Sequence, residues 1–290
     1  MAIIDGNDLN NNLPDTSGDD TIDAMGGDDT ITVTTGRDDV YGGTGEDTLI
    51  VAWGDESGPI TLVQGVTYAY VGVDFATATR RVDWTGIEHL KVSAGSGNDT
   101  LEGSLSSWDI LDGGAGTDEW DDDFTSLSTG LSIDMALVSS AGGQTYSDGT
   151  TVRNLEIADL YLTDAGNDTF RDHGAFNDTI FGQGGDDDIG TSGGQDNFYG
   201  GLGEDTVTID WSDATDDVTV VQGVTYGYVG VDFASATRRV DWSAFEHLNV
   251  MSGSGNDNLE GTLNSWDILD GGAGTDEWDD DFTNLSTALS

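Results

Sequence analysis

The carboxylates of this sequence recur in a fixed order. Gly18-Asp20-Ile22, Gly27-Asp29-Ile31, Gly36-Asp38-Val40 and Gly45-Asp47-Leu49 each follow the last by nine residues. A second block reads Gly97-Asp99-Leu101, Ser107-Asp109-Leu111 and Gly116-Asp118-Trp120, with one residue inserted near Gly103. The longest runs Gly166-Asp168-Phe170, Phe176-Asp178-Ile180, Gly185-Asp187-Ile189, Gly194-Asp196-Phe198 and Gly203-Asp205-Val207. A fourth copies the second around Gly255, Asp257, Asp267, Gly274 and Asp276. Short carboxylates beside glycine-rich backbone supply oxygen ligands, and oxygen is what a hard cation takes. Ca²⁺ accepts ~6–8 oxygens at ~2.3–2.6 Å in irregular geometry, whereas Mg²⁺ demands a tighter octahedron. Zn²⁺ prefers nitrogen or sulfur, and the chain has no Cys and only 3 His.

Such ligands have to be held by something that repeats with them. The three residues around each apolar position make a strand of only ~10 Å with one side chain pointing inward, so a single unit buries nothing alone. Two units close an 18-residue coil, with the glycine-rich stretches as turns. Coil stacked on coil at ~4.8 Å gives two parallel sheets with Ile, Leu, Val and Phe between them. The loop Asp residues then stand in columns, and two carboxylates ~5 Å apart repel by roughly 0.8 kcal/mol even at the dielectric of water. A cation is needed between them. Pairs 18 apart are Asp20/Asp38, Asp29/Asp47, Asp178/Asp196 and Asp187/Asp205; pairs 19 apart, a second set, are Asp99/Asp118, Asp168/Asp187 and Asp257/Asp276. This implies about seven or more Ca²⁺ sites. Phe176, Ser107 and Ser265 replace the loop glycine, and insertions near Gly103, Asp172 and Gly261 lengthen the unit, which weakens the case for those half-sites.

Composition argues against disorder. The 290 residues include 43 Gly and 2 Pro, and the 8 Trp, 8 Tyr and 9 Phe supply a packed interior that acidic disordered tails lack. The 56 Asp+Glu against 8 Lys+Arg give a net charge of −48, a field that repels nucleic acid and anionic membranes. Cationic partners are expected; a glycan or cell-surface partner is left open. No apolar run has the length of a signal peptide or membrane span.

A longer period encloses the short one. Residues 41–132 align without a gap on 199–290, with 67 of 92 positions identical. A copy that ends with the chain suggests a piece of a longer repetitive protein starting at a native Met1. The expected organisation is a cap (1–14), repeat blocks at 15–50, 94–121, 163–208 and 252–279, and spacers at 51–93, 122–162, 209–251 and 280–290. Spacer runs such as PITLVQGVTYAYVGVDF favour strands. Helix signals are nearly absent; SLSTGLSIDMAL is the one stretch to watch, and no helix is expected there.

The units GGTGEDTLI (42–50) and GGAGTDEWD (113–121 and 271–279) resemble the G-G-x-G-x-D-x-U-x nonapeptide of the RTX (repeats-in-toxin) family of secreted calcium-binding proteins. The junction GIEHLKVSAGSGNDTLEGS also resembles the linker of bacterial members. The resemblance covers about half the chain in fifteen units. It implies an all-β fold, a parallel β-roll or β-helix solenoid with calcium between successive coils. It also implies folding outside the cell and type I secretion to the exterior or cell surface through an uncleaved C-terminal signal.

Other residues receive plainer readings. The run DEWDDDF (118–124 and 276–282) is expected to be a solvated charge run, and His89 and His247, each after a Glu, to be exposed or packing residues. The two ATRRVDW segments are expected to form internal salt bridges, and Trp84, Trp108, Trp120, Trp242 and Trp266 to pack rather than bind sugars. Glu46 is expected to face water. The expected role is a structural or adhesive, calcium-folded segment without catalysis. The alternatives are a β-helix enzyme acting on polysaccharides and a secretion and folding module for a catalytic domain further along.

Overall fold

The computed structural model describes residues 1–64, 69–73, 79–103, 108–222, 226–231, 238–261 and 266–279. They are almost entirely short strands and form two compact units, one of Met1–Asp122 with Leu137–Ala158 and one of Asp123–Ala136 with Asp159–Ser290.

In the first unit successive strands alternate between two sheets. Ala2–Asn7, Asp20–Met25 and Gly36–Tyr41 lie side by side in one, while Asn12–Pro14, Thr30–Val33 and Thr48–Ala52 lie side by side in the other. The chain therefore winds as a coil, each turn pairing in parallel with the one 18 residues earlier, as in Ala2↔Asp20, Asn12↔Thr30 and Thr30↔Thr48. The second unit repeats this. Thr179–Phe181 pairs with Gln195–Tyr199 in one sheet, and Thr169–Arg171, Asp188–Thr191 and Thr206–Asp210 follow one another in the other.

Strand alternation decides what is inside. In Asp20–Met25, residues Asp20, Ile22 and Ala24 share the buried face, so the metal-type carboxylate points the same way as the apolar residue two positions on. Ile22, Ile31, Val40, Leu49, Leu101, Phe170, Ile180, Ile189, Phe198 and Val207 are all buried, each contributing about 1.5–3 kcal/mol by leaving water. Phe170 and Phe198 meet edge to face, ring centroids 6.2 Å apart. Several strands reach five or six residues rather than three, because the inward alternation continues past the repeat into Ala24 and Val51.

The spacers enter the same sheets. Ile60–Gln64, Ala69–Val73 and Arg80–Thr85 form an antiparallel meander, and Arg80–Thr85 then lies parallel on Gly36–Tyr41. The duplicate does the same with Val218–Gln222, Tyr226–Val231 and Arg238–Ser243 on Gln195–Tyr199. The coil resumes directly afterwards, His89–Ser93 pairing with Thr48–Ala52 and His247–Met251 with Thr206–Asp210.

Two segments differ from the expected structure. A short helix, Met135–Val138, does form at the end of SLSTGLSIDMAL and runs one residue past it, with the Asp134 carboxylate accepting the Ala136 N–H at its start. DEWDDDF is no solvated run in its first copy. Glu119–Asp123 is a strand that buries Trp120 and Asp122, and the Asp122 carboxylate accepts the Trp120 indole N–H at 2.7 Å. In the second copy residues 276–279 are exposed, and 280–282 lie outside the described residues.

Candidate metal centre

The loop Asp residues form columns along the coil, most with one oxygen committed to the backbone. Asp38 Oδ1 accepts the Asp20 N–H at 2.9 Å, and Asp47 Oδ1 accepts that of Asp29 at 2.8 Å. In the second unit Asp196 holds Asp178 at 3.0 Å and Asp205 holds Asp187 at 2.8 Å. The pairs 19 apart are bonded alike: Asp118 to Asp99 at 2.8 Å, Asp187 to Asp168 at 2.8 Å and Asp276 to Asp257 at 3.1 Å. The longer units thus keep the carboxylate-to-backbone hydrogen bonds of the strict ones. Asp109 and Asp267 reach strand N–H groups instead, those of Leu90 at 2.8 Å and Leu248 at 2.9 Å.

The second oxygen carries the chemistry. Oδ2 of Asp29, Asp38, Asp47, Asp118, Asp187, Asp205 and Asp257 is buried with no hydrogen-bond partner. A buried acceptor left unsatisfied costs about 1–3 kcal/mol, and more when charged. One such atom would be an exception; a column of them has the chemistry of a cation's donor set. Burial pushes the carboxyls of Asp38, Asp118, Asp187 and Asp196 up to about 7 and that of Asp205 up to about 6, against carboxylates' usual ~4. Neighbouring carboxylates push the same way, Asp20 on Asp38 and Asp168 on Asp187 among them. At Asp20 and Asp168 the second oxygen is already held: Asp20 Oδ2 accepts the Thr16 N–H and hydroxyl, both at 2.7 Å, and Asp168 Oδ2 accepts those of Thr163.

Backbone carbonyls stand beside these atoms. A Cβ on Gly182 would meet Gly200 O at 2.4 Å and Asp187 Oδ2 at 2.5 Å, so glycine leaves open a cradle walled by a carbonyl and a carboxylate. The glycines two before each Asp stack in the same way. The carbonyls of Gly18, Gly27, Gly97, Gly185 and Gly255 sit where a Cβ of Gly36, Gly45, Gly116, Gly203 and Gly274, respectively, would lie. At Gly203 the gap is 1.7 Å and φ is +148°, so no side chain fits. The earlier member of a pair can be another residue where only its carbonyl is used: Phe176 presents its carbonyl to Gly194 just as a glycine would. The substitution at 176 thus keeps the cradle; Ser107 and Ser265 lie outside the described residues. Among the described residues no three His, Cys, Asp or Glu side chains converge. The donor set is carboxylate pairs with carbonyls, all oxygen, which suits Ca²⁺.

Thirteen loop Asp residues, Asp20, Asp29, Asp38, Asp47, Asp99, Asp109, Asp118, Asp168, Asp178, Asp187, Asp196, Asp205 and Asp257, are buried; Asp267 is half-buried and Asp276 exposed.

Two sets of residues escape a reading based on Gly-x-Asp. The first is the residue just before most of the loop Asp residues, and before Asn11 in the first coil. Asn10 Oδ1 accepts the Asp28 N–H and Asp28 Oδ1 that of Glu46, at 3.0 and 3.2 Å; Asn167, Asp186 and Glu204 repeat the arrangement. This ladder reaches forward along the coil while the Asp ladder reaches back. Its signal is in the sequence. The position is Asn or Asp where another rung follows, as at Asp19, Asn98, Asn177 and Asn256, and something else at the last rung, as at Arg37, Thr117, Gln195 and Thr275. The second set is Glu88, Glu156 and Glu246, whose Oε2 atoms each accept the N–H of the last Asp below them at 2.9 Å, Asp47, Asp118 and Asp205.

The remaining candidates are structural. His89 and His247 are buried, packed on Trp108 and Trp266 with centroids 4.0 and 4.4 Å away, and each stands 3.4 Å from a carboxylate of Glu46 or Glu204. Glu46 is otherwise exposed. Arg80 and Arg238 each form paired hydrogen bonds to Asp55 and Asp213, and Arg81 and Arg239 to Asp83 and Asp241. Trp84, Trp120 and Trp242 are buried, while Trp108 and Trp266 are exposed.

Comparison with known proteins agrees with this geometry. The RTX calcium-binding nonapeptide repeat matches in four copies, at residues 5–38, 15–49, 91–119 and 174–207. No curated protein matches the chain. Among solved structures, the extracellular lipase LipA from Serratia marcescens aligns at 16% identity and a TM-score of 0.26, over 82% of this chain and 37% of the lipase. The chain thus spans little more than a third of that protein, and a likeness so loose carries no argument about activity.

Proposed function

We propose that this chain, an RTX protein built on calcium-binding nonapeptide repeats, is a calcium-folded structural or adhesive β-roll segment of a secreted bacterial protein. The observation that carries the reading is the row of buried Asp Oδ2 atoms without partners on successive coils. Calcium, when bound, supplies two positive charges and a demand for several oxygens in each gap. The chain's part is to present them: one Asp oxygen fixes the neighbouring coil's backbone, the other faces the gap, and the glycine carbonyls complete the wall. The unfolded chain has no such arrangement, so binding free energy becomes folding free energy.

The sites we assign are the seven Asp pairs 18 and 19 apart, with Asp109 and Asp267 as half-sites. Seven ions would add +14 to −48 and leave −34, so the surface stays acidic and nucleic acid is no partner. Among the described residues no helix is long and apolar enough to cross a membrane. We assign no catalytic residue. Low cytosolic calcium would leave the chain unfolded for export by type I secretion, and the repeat blocks would fold outside, with the spacers carried in the same sheets.

Calorimetry on chelator-treated protein tests this. Calcium is expected to bind at several sites per chain, with magnesium unable to displace it at equal concentration. A chain that takes up no calcium would refute the reading.

A further inference from the structure

We propose that Glu88, Glu156 and Glu246 each complete an additional calcium site, at the point where a repeat block ends and a spacer covers it. The inference rests on the calcium reading above and extends it to residues outside the nonapeptides.

At three places a nonapeptide loop of six residues is covered by a spacer loop of only three. Tyr41 pairs with Thr85 and Thr48 with His89, so residues 42–47 lie under Gly86-Ile87-Glu88. Tyr199 pairs with Ser243 and Thr206 with His247, so 200–205 lie under Ala244-Phe245-Glu246. Asp112 pairs with Arg153, and the Asp118 carbonyl accepts the Glu156 and Ile157 N–H groups, so 113–118 lie under Asn154-Leu155-Glu156. The first residue of each short loop has a positive φ, +63°, +53° and +55° at Gly86, Asn154 and Ala244. Glu is one methylene longer than Asp, which suits a covering loop three residues shorter.

The short loops reproduce the oxygen wall of a repeat-on-repeat pair. Where Gly200 O and Asp187 Oδ2 flank the empty Cβ position of Gly182, Gly86 O and Asp47 Oδ2 flank that of Gly42, at 1.7 and 2.8 Å. Ala244 O and Asp205 Oδ2 flank that of Gly200 at 2.0 and 2.8 Å, and Asn154 O lies 2.2 Å from that of Gly113, beside Asp118. Asp47, Asp118 and Asp205 are fully buried, and Oδ2 of each has no hydrogen-bond partner. The glutamate Oε2 on the N–H of each repeats the link that Asp makes to Asp within a column.

A backbone N–H needs only a neutral acceptor. At Asp109 the chain uses one, Thr150 Oγ1 at 3.0 Å. Setting a second carboxylate against a buried one instead is unfavourable unless a cation lies between them. Glu88 and Glu246 are copies of each other, but Glu156 lies outside the duplicated segments, so the arrangement occurs in two unrelated spacer sequences.

The test is ion counting by native mass spectrometry on the full chain in calcium, comparing wild type with the triple variant E88Q/E156Q/E246Q and the three single variants. Gln keeps an oxygen for the N–H while removing the charge, so far-UV circular dichroism in saturating calcium should be unchanged. The triple variant is expected to hold three fewer ions and each single variant one fewer. Unchanged ion counts would overturn the inference and leave the repeat sites standing; a wild type without calcium would instead overturn the underlying reading. If the triple variant fails to fold in calcium, the single variants decide by the same count.

Discussion

With calcium removed by a chelator at pH 8, the chain is expected to lose most of its β structure and to regain it as the pH is lowered towards 5. The reason lies in the buried carboxyls. Asp38, Asp118, Asp187 and Asp196 are held at about 7 and Asp205 at about 6 in the fold, chiefly by burial and further by their neighbours' charge. In the unfolded chain they return to the ordinary ~4. Between ~4 and ~7 the native state therefore holds more protons than the unfolded state. Their contribution to metal-free stability is fully present below ~4 and is lost as pH rises through ~7. Each extra proton held tilts stability by about 1.4 kcal/mol per pH unit. Calcium reverses the trend, since protons compete with it for the same oxygens. Circular dichroism from pH 5 to 8, with chelator and with calcium, checks both signs; a metal-free chain equally folded at pH 8 and pH 5 would contradict them.

Asp187→Asn is expected to be among the most damaging single changes at the columns. Asp187 stands mid-column: its carboxylate holds the Asp168 N–H, its own N–H is held by Asp205, and its Oδ2 walls the cradle of Gly182. Two sites share it. At calcium about 100-fold above the dissociation constant each lost site costs about 2.7 kcal/mol, so the variant should lose roughly 5 kcal/mol and two ions. Asp276→Asn, at an exposed column end, should cost one ion at most. Thermal unfolding and ion counting in calcium compare the two; equal effects would mean that column position does not matter.

How far the sequence reveals this follows from what repeats. Gly-x-Asp-x-apolar repeats nine residues apart, and strand alternation turns that spacing into coils with Asp20 and Ile22 on one inner face. Insertions near Gly103 looked harmful because spacing is all a sequence displays, yet Asp99 and Asp118 are bonded as closely as strict pairs. Glu88 and Glu156 were hidden because their partners lie 41 and 38 residues back, across spacers of unlike sequence. The forward ladder was hidden for another reason: Asn167 and Asp186 look like ordinary turn residues until the coil sets one over the other. The helix Met135–Val138 is a single turn, too short for any periodic signal.

Calcium binding and folding of this chain are expected to be one event. Titrating calcium into chelated protein at pH 8, while following far-UV circular dichroism and the number of bound ions in the same samples, tests it most directly. The two curves are expected to superimpose in one steep, cooperative transition. A chain already folded and heat-stable before calcium is added, or ions bound without a change in the spectrum, would contradict it.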